Sequence, residues 1–303
     1  MNTDGVVVAL DVGGTGMKCA LVRPDGTVLH EERHPTLAAR GPEAVTENIL
    51  EIAANLAKRA EHPIAVGVAV PGVIDEENGV AVWSSNVGFR DVPLRKLITE
   101  RLGLPAALGH DVRVGGIAEA RLGAGRGEGH VLFVAIGTGI AAALVVDGSA
   151  YGGAHGAAGE LGHIVVRPGG NPCGCGARGC LESITSARAI GRRYAEITGN
   201  SEATASDVVA RLNKDPAALQ VWHEAIDALA DGLLTAQALY DVDVLVLGGG
   251  LAEAGDTLLT PLTSELERRI TFHRMPRMVK AQLGDTAGCL GAALLALDHL
   301  EKS

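Results

Sequence analysis

The sequence predicts an α/β protein built from two related lobes, and three observations predict it. Short apolar runs such as Val6 to Leu10, Ile64 to Val70 and Val242 to Leu247 end in glycine or Pro-Gly turns, as buried strands do. Amphipathic stretches alternate with these runs; between Pro42 and Ala60, residues Val45, Ile49, Ile52 and Leu56 fall on one helical face. The third observation is an internal repeat. Gly14-Thr15-Gly16, an apolar run from Met17 to Val22 and Asp25-Gly26-Thr27 are echoed by Gly137-Thr138-Gly139, Ile140 to Val145 and Asp147-Gly148-Ser149.

The elements follow in order. Val6 to Leu10 reads as a buried strand feeding the turn at Asp11 and Gly13-Gly14. Met17 to Val22 and Thr27 to Glu32 read as the next strands, joined by the hairpin signal Asp25-Gly26. The Pro42 to Ala60 helix precedes the Ile64 to Val70 strand, which Pro71-Gly72 ends. A short helix over Leu94 to Arg101, a strand near Ala106 to Leu108 and a helix over Val112 to Leu122 come next. Gly123 to Gly129 is a loop, and paired strands flank Gly137 to Gly139. Residues 152–182 carry dense Gly, Cys, His and Glu without a regular period. Helices fill Ser183 to Tyr240, where Trp222, Ile226, Leu229, Leu233 and Ala236 make a stripe suited to core packing. A strand over Val242 to Leu247 ends in Gly248-Gly249-Gly250, and helices over Thr257 to Ile270 and Thr286 to Leu300 close the chain.

Composition narrows the function classes. The 303 residues suffice for two cores, and with aromatics at only 3%, Ala, Val, Leu and Gly must fill them. A net charge of −10 repels nucleic-acid backbones and anionic membrane surfaces, so neither partner is expected. The longest uncharged run, Val131 to Val146, is shorter than the ~20 residues of a membrane-spanning helix and is broken by the glycine turn. Met1 to Val8 enters an apolar run with no basic segment ahead of it, so no export signal is expected. A cytoplasmic location follows, in which five cysteines are not a disulfide framework.

The paired glycine turns suggest a ligand. Glycine lets backbone N–H groups approach phosphate oxygens, and successive N–H groups form an anion nest. Two such turns in matching contexts suit a polyphosphate, with Thr15 and Thr138 adding hydroxyl donors. Each turn alone is equally well a plain hairpin.

Asp11-Val12-Gly13-Gly14-Thr15, Gly137-Thr138-Gly139 and Gly248-Gly249-Gly250 resemble the phosphate and adenosine motifs of the actin, heat-shock ATPase and sugar-kinase superfamily. Glu160-Leu161-Gly162-His163, followed by Cys173-Gly174-Cys175-Gly176-Ala177-Arg178-Gly179-Cys180-Leu181-Glu182, resembles the signature of the ROK family. That family holds bacterial glucokinases, other hexose and acylated-hexosamine kinases, and sugar-responsive repressors. The resemblance runs from about residue 6 to residue 300. It implies an actin-like, ribonuclease H-like fold, ATP and Mg2+ as cofactors, a sugar substrate and a homo-oligomer. A first lobe over residues 1–109 plus 291–303 and a second over 110–290 are expected to close over ATP and sugar. The repressors of the family carry an N-terminal helix-turn-helix, for which the start of the phosphate loop at Asp11 leaves no room; a silent sugar sensor is the other alternative.

Cys173, Cys175 and Cys180 supply three thiolates within eight residues, and His163 lies ten residues upstream. Four N/S ligands in a closed tetrahedron are what structural zinc prefers, and a segment too glycine-rich for its own core needs such a staple. Zinc on one ring nitrogen of His163 leaves the other as an oriented N–H donor; by resemblance, that donor meets a sugar hydroxyl. Cys19 and Cys289 read as small core residues.

Phosphoryl transfer to an alcohol needs an aligned hydroxyl, an acceptor for its proton and a divalent cation. Asp111 lies between a strand end and a helix start, and by resemblance it is the catalytic aspartate; a helix N-cap is its structural alternative. The positions matching the family's sugar contacts are Asn86, Asp111, Glu160, His163 and Glu182. Asp11 is expected to help hold hydrated magnesium, with Gly13, Gly14, Thr15, Gly137, Thr138, Gly139, Gly248, Gly249 and Gly250 around the nucleotide. Two departures from the family pattern stand out: His110 where Asn commonly precedes the catalytic Asp, and Ala141-Ala142-Ala143 where glycines are common.

Overall fold

The computed structural model describes residues 5–302; Met1 to Asp4, the start of the expected Met1 to Val8 run, and Ser303 lie outside them. The chain forms two compact units. One contains the described residues up to Gly123, then Gly148–Ala158 and everything from Asp285 onward; the other contains Ala124–Asp147 and Gly159–Gly284.

In the first unit, β1 (Val6–Val12), β2 (Gly16–Val22) and β3 (Val28–Pro35) form an antiparallel meander. Helix α1 (Pro42–Arg59) leads to β4 (Pro63–Val70), which pairs parallel with β1. The short strands β5 (Val73–Asp75), β6 (Val80–Trp83) and β7 (Arg90–Val92) form a separate antiparallel sheet. Helix α2 (Leu94–Leu102), β8 (Ala106–His110) and α3 (Asp111–Arg121) follow, and β8 pairs parallel with β4. The sheet order is therefore β3-β2-β1-β4-β8. Alternation along β1 sends Val8, Leu10 and Val12 into one core with Val45, Ile49 and Leu56 of α1.

The second unit begins with β9 (His130–Ile136) and β10 (Ile140–Val146), an antiparallel pair around the second glycine turn. The intervening piece Gly148–Ala158 belongs to the first unit and contains the two-residue strand β11 (Ser149–Ala150). Helices α4 (Glu182–Thr185), α5 (Ala187–Thr198), α6 (Ala205–Arg211) and α7 (Pro216–Tyr240) precede β12 (Val244–Gly248), α8 (Asp256–Arg269) and β13 (Arg277–Lys280). Strand β12 pairs parallel with both β9 and β13, giving the order β10-β9-β12-β13. This matches β2-β1-β4-β8, so the sequence repeat is a repeat of topology. Trp222, Ile226, Leu229, Leu233 and Ala236 enter the core with Leu132, Val134, Leu245 and Leu247.

The C-terminal helix α9 (Ala287–Lys302) packs on β1, β4 and β8 and along α3 in the first unit. These contacts are backbone-close. A Cβ on Gly67 would lie 1.9 Å from the Ala292 carbonyl oxygen, and one on Gly291 would lie 1.9 Å from that of Val114. Arg121 of α3 also grips Asp298 of α9 with two bonds of 2.8 and 2.6 Å. The compact units therefore divide after Gly123 and before Asp285, rather than at the expected 109/110 and 290/291, because α3 cannot be separated from α9.

Two features had no sequence signal. In β5–β7 only Ile74 and Ala81 are fully buried, so no apolar run marks that sheet. β13 is a four-residue edge strand, too short to show alternation.

A methyl group at residue 291 collides with backbone, which cannot rotate away. Gly291→Ala therefore destabilises the fold by about 3 kcal/mol, readable as a lower denaturant midpoint; an unchanged midpoint would mean that α3 and α9 have room to separate.

Candidate functional site

In the first unit the site residues sit at strand and helix ends. Asp11 is near the end of β1, and the turn after it closes through Gly13 N–H to the Gly16 carbonyl at 2.9 Å. The Gly13 carbonyl accepts from Thr36 Oγ1 at 2.6 Å, so a fully buried threonine ties the turn from behind. Neither bond uses the N–H groups of Gly14 and Thr15. Asn86 stands on an exposed turn held by the buried neighbours Val87 and Phe89 and by Gly88 N–H to the Ser84 carbonyl at 2.9 Å. Its Cβ lies 3.5 Å from the place a Gly14 Cβ would take, so the structure brings Asn86 against the first glycine turn.

Asp111 is the first residue of α3, with His110 as the capping residue. Its Oδ1 accepts from its neighbour Val112 N–H at 2.7 Å. Burial raises the Asp111 carboxyl above the ordinary carboxylate range, against the pull of the Val112 N–H and the Arg113 guanidinium. Asp11 rises to about 6: burial is the main cause, Lys18 opposes it, and Asp111 and Asp285 add to it. Residue 288 must be glycine for Asp11 to fit, because a Cβ there would stand 2.2 Å from Asp11 Oδ2. Lys18 pairs with Asp285 at 3.2 Å, and Asp285 also takes Arg33 at 2.7 Å.

Glu76 and Arg113 escape a reading of the sequence. Glu76 sits in an acidic run that reads as solvated, and Arg113 in a helix start that reads as surface. In the fold Arg113 is buried; its Nε donates to Glu76 Oε1 at 2.8 Å, and its Nη1 donates to the Gly156 carbonyl at 2.9 Å. The same Glu76 oxygen accepts His110 N–H at 3.2 Å. This brace fixes the β8–α3 junction from which Asp111 projects.

In the second unit the turn closes through Gly137 N–H to the Gly139 carbonyl at 2.9 Å, and the Gly137 carbonyl accepts Ala187 N–H at 2.8 Å. Glu182 Oε2 accepts Ile140 N–H at 2.9 Å, which sets that carboxylate directly behind the turn. Glu160 is exposed and His163 half-buried on a short 3-10 turn pinned to β10, with Gly159 bonded to Ala142 N–H at 2.7 Å. His163 Nε2 lies 3.7 Å from Glu160 Oε2. Gly248 ends the β12 strand and Gly249 and Gly250 follow it; the first two are also packing requirements, because Cβ atoms there would meet the Phe133 ring at 2.6 Å and the Ile136 carbonyl at 2.5 Å.

His163, Cys173, Cys175 and Cys180 converge. Their ligand atoms lie within 4.8 Å of one another. His163 Nδ1 is 3.6 Å from Cys173 Sγ, and Cys175 Sγ is 3.7 Å from Cys180 Sγ. Zinc–sulfur bonds of about 2.3 Å in a tetrahedron give edges of roughly 3.8 Å, so the four residues fit a zinc ion. The loop is tied to α7 by Arg167, which pairs with Asp231 at 2.6 Å and with Asp227. Among the described residues, no helix is long and apolar enough to cross a membrane.

Residues 7–299 match the ROK family. This chain belongs to the ROK family. Among its ROK relatives, the glucokinase of Thermotoga maritima is 33% identical, with 97% of this chain and 98% of the relative covered. The ROK hexokinase of Thermus thermophilus superposes with a TM-score of 0.88 at 33% identity, covering 98% of this chain and all of the other. The ROK glucokinase of Streptomyces griseus, solved with glucose and AMPPNP, superposes with a TM-score of 0.82 at 28% identity over 97% of this chain. The fold is thus the actin-like ATPase fold of ROK sugar kinases.

His110, the departure from the family pattern, is buried, and its Nδ1 has no hydrogen-bond partner among the described residues. Burial, with help from Arg113 and against Glu76, lowers its pKa from 6.5 to about 4. The unfolded chain therefore binds this proton first as pH falls. The stability from a neutral His110 is complete above about 6.5 and is lost toward about 4, a loss of roughly 3 kcal/mol across the window. Denaturant titrations at about pH 7.5 and about pH 4.5 show a smaller drop in His110→Asn than in the wild type; equal drops would assign the acid sensitivity elsewhere.

Proposed function

We propose that this ROK protein is an ATP-dependent glucokinase that converts glucose to glucose 6-phosphate. The observation that carries the reading is Asp111, a half-buried carboxylate with a raised proton affinity at the start of α3, braced from behind by Glu76 and Arg113. A general base of this kind takes a proton best when its pKa is lifted toward the working pH. Near-full-length similarity to glucokinases supports the choice of sugar.

In the proposed reaction the 6-hydroxyl oxygen of glucose forms a bond to the γ-phosphorus of ATP as the bond to the β,γ-bridging oxygen breaks. The hydroxyl proton passes to Asp111, and ADP leaves with the bond's electron pair. Catalysis of such a transfer is mainly positioning and charge neutralisation. Magnesium supplies part of that neutralisation, and Asp11 is the residue that would hold its hydration shell. The free N–H groups of the two glycine turns would bind phosphate oxygens.

Asn86, Asp111, Glu160, His163 and Glu182 would be the sugar ligands in this reading. Five polar side chains serving the hydroxyls of one sugar give discrimination, because a wrong sugar leaves buried groups unpaired. Zinc on Nδ1 of His163 would leave Nε2–H as the sugar donor, which agrees with Nδ1 being the nitrogen beside Cys173. A location in the cytoplasm and a homo-oligomeric state are part of the same proposal.

ADP release is measured with magnesium, ATP and D-glucose against a blank without sugar. The wild type turns over only with sugar, and Asp111→Asn lowers kcat about 1000-fold. Absence of turnover with glucose but turnover with another hexose rejects the substrate, and absence with all hexoses rejects the kinase. Metal analysis of the purified chain finds about one zinc; Cys175→Ser loses it and melts at lower temperature, whereas a metal-free wild type with the same melt would remove zinc from the account.

A further inference from the structure

Gly139 belongs by position to a phosphate turn, yet its tightest constraint comes from elsewhere. A Cβ on Gly139 would stand 2.6 Å from Glu182 Oε2 and 3.5 Å from its carboxyl carbon, with nothing else close. The same Oε2 accepts the N–H of Ile140, the next residue, at 2.9 Å. Residues 139 and 140 therefore make a seat for one carboxylate oxygen: a bare Cα on one side and a backbone donor on the other.

The repeat supplies an internal comparison. Gly16, which holds the corresponding place in the first turn, has only an ordinary 3.5 Å contact with the His34 carbonyl. Gly137, at the other end of the second turn, has no atom within 4 Å of a Cβ. Nor does backbone conformation demand glycine at residue 139, which is absent from the positive-φ positions. The demand for a missing side chain at residue 139 is made by Glu182.

We propose that Gly139 is a positioning residue for the sugar, acting through Glu182, rather than a residue reserved for the nucleotide. This rests on the reading of Glu182 as a sugar ligand. With one oxygen fixed by Ile140 N–H, the other oxygen is presented in a set direction to a sugar hydroxyl. Because the obstructing atom is the tip of a flexible side chain, a methyl group at residue 139 moves the carboxylate instead of breaking the fold. The damage falls on recognition.

The test compares the wild type, Gly139→Ala and Gly137→Ala by calorimetric glucose binding without nucleotide and by initial rates. Gly139→Ala weakens glucose binding and raises its KM about 10- to 100-fold, the loss expected of a charged hydrogen bond, and leaves the KM for ATP near the wild-type value. Gly137→Ala leaves glucose affinity intact. A raised KM for ATP with unchanged glucose binding in Gly139→Ala overturns the proposal, as does a loss of glucose affinity in both variants. In a Glu182→Gln background the added Gly139→Ala costs little further sugar affinity; full additivity overturns it too. Should Gly139→Ala fail to fold, Glu182→Ala clears the obstruction and restores a cooperative melt, and a double variant that stays unfolded rejects the idea. A wild type that binds and phosphorylates no hexose instead overturns the kinase reading, and this inference with it.

Discussion

The first unit depends on the contact of helix α9 with backbone. Gly67 and Gly291 let α9 approach β4 and α3 to distances that any side chain would forbid, and Gly288 lets its first turn meet the Asp11 carboxylate. One helix thereby fixes both the end of β1, with Asp11, and α3, with Asp111. The two carboxylates are held by the same rigid body, so their spacing is a property of core packing and not of loop conformation. Packed interiors transmit displacement because they contain few voids. A disturbance anywhere along α9 is thus felt at both carboxylates.

That packing also sets the electrostatics. Asp11 and Asp111 are both lifted by burial, and the charge of Asp111 further disfavours ionisation of Asp11. Lys18 opposes the rise at Asp11 from the neighbouring strand, and Asp285, just ahead of α9, adds to it. His110 responds to the same burial in the opposite sense and stays neutral well below the usual imidazole range. The Asn-to-His departure therefore adds no positive charge beside Asp111 at neutral pH. What it adds is a larger ring whose buried Nδ1 has no hydrogen-bond partner among the described residues.

Much of this was legible in the sequence, for identifiable reasons. The strands β1 and β2 are continuous apolar runs because they are buried on both faces, and α1 and the α7 stripe carry a helical period set by burial on one face. The repeat of glycine turns announced a repeat of topology, because the turns must lie where an antiparallel pair meets a parallel one. The convergence of His163, Cys173, Cys175 and Cys180 was announced by ligand type and spacing. Other features were silent. The α3–α9 contact joins residues 177 positions apart at Arg121 and Asp298, and no local pattern encodes it. Glu76 lies in an acidic turn and Arg113 in a helix start; only the fold shows that Arg113 is buried and donates to Glu76. The division into units differs from the expected one for the same reason, since the second turn's glycines and α3 are read locally while α9 arrives from the far end.

The two glycine turns are tied down differently. The carbonyl of Gly13 is held by the hydroxyl of Thr36, and that of Gly137 by the main-chain amide of Ala187. A hydroxyl is a gene-encoded choice that a single codon change can erase or restore; an amide is common to every residue except proline. The first turn is therefore open to evolutionary tuning at a residue 23 positions away, whereas the second is buffered against almost any exchange at its anchor. Divergence between members of a lineage that share this architecture would accumulate unevenly, with drift in turn rigidity entering through the N-terminal copy.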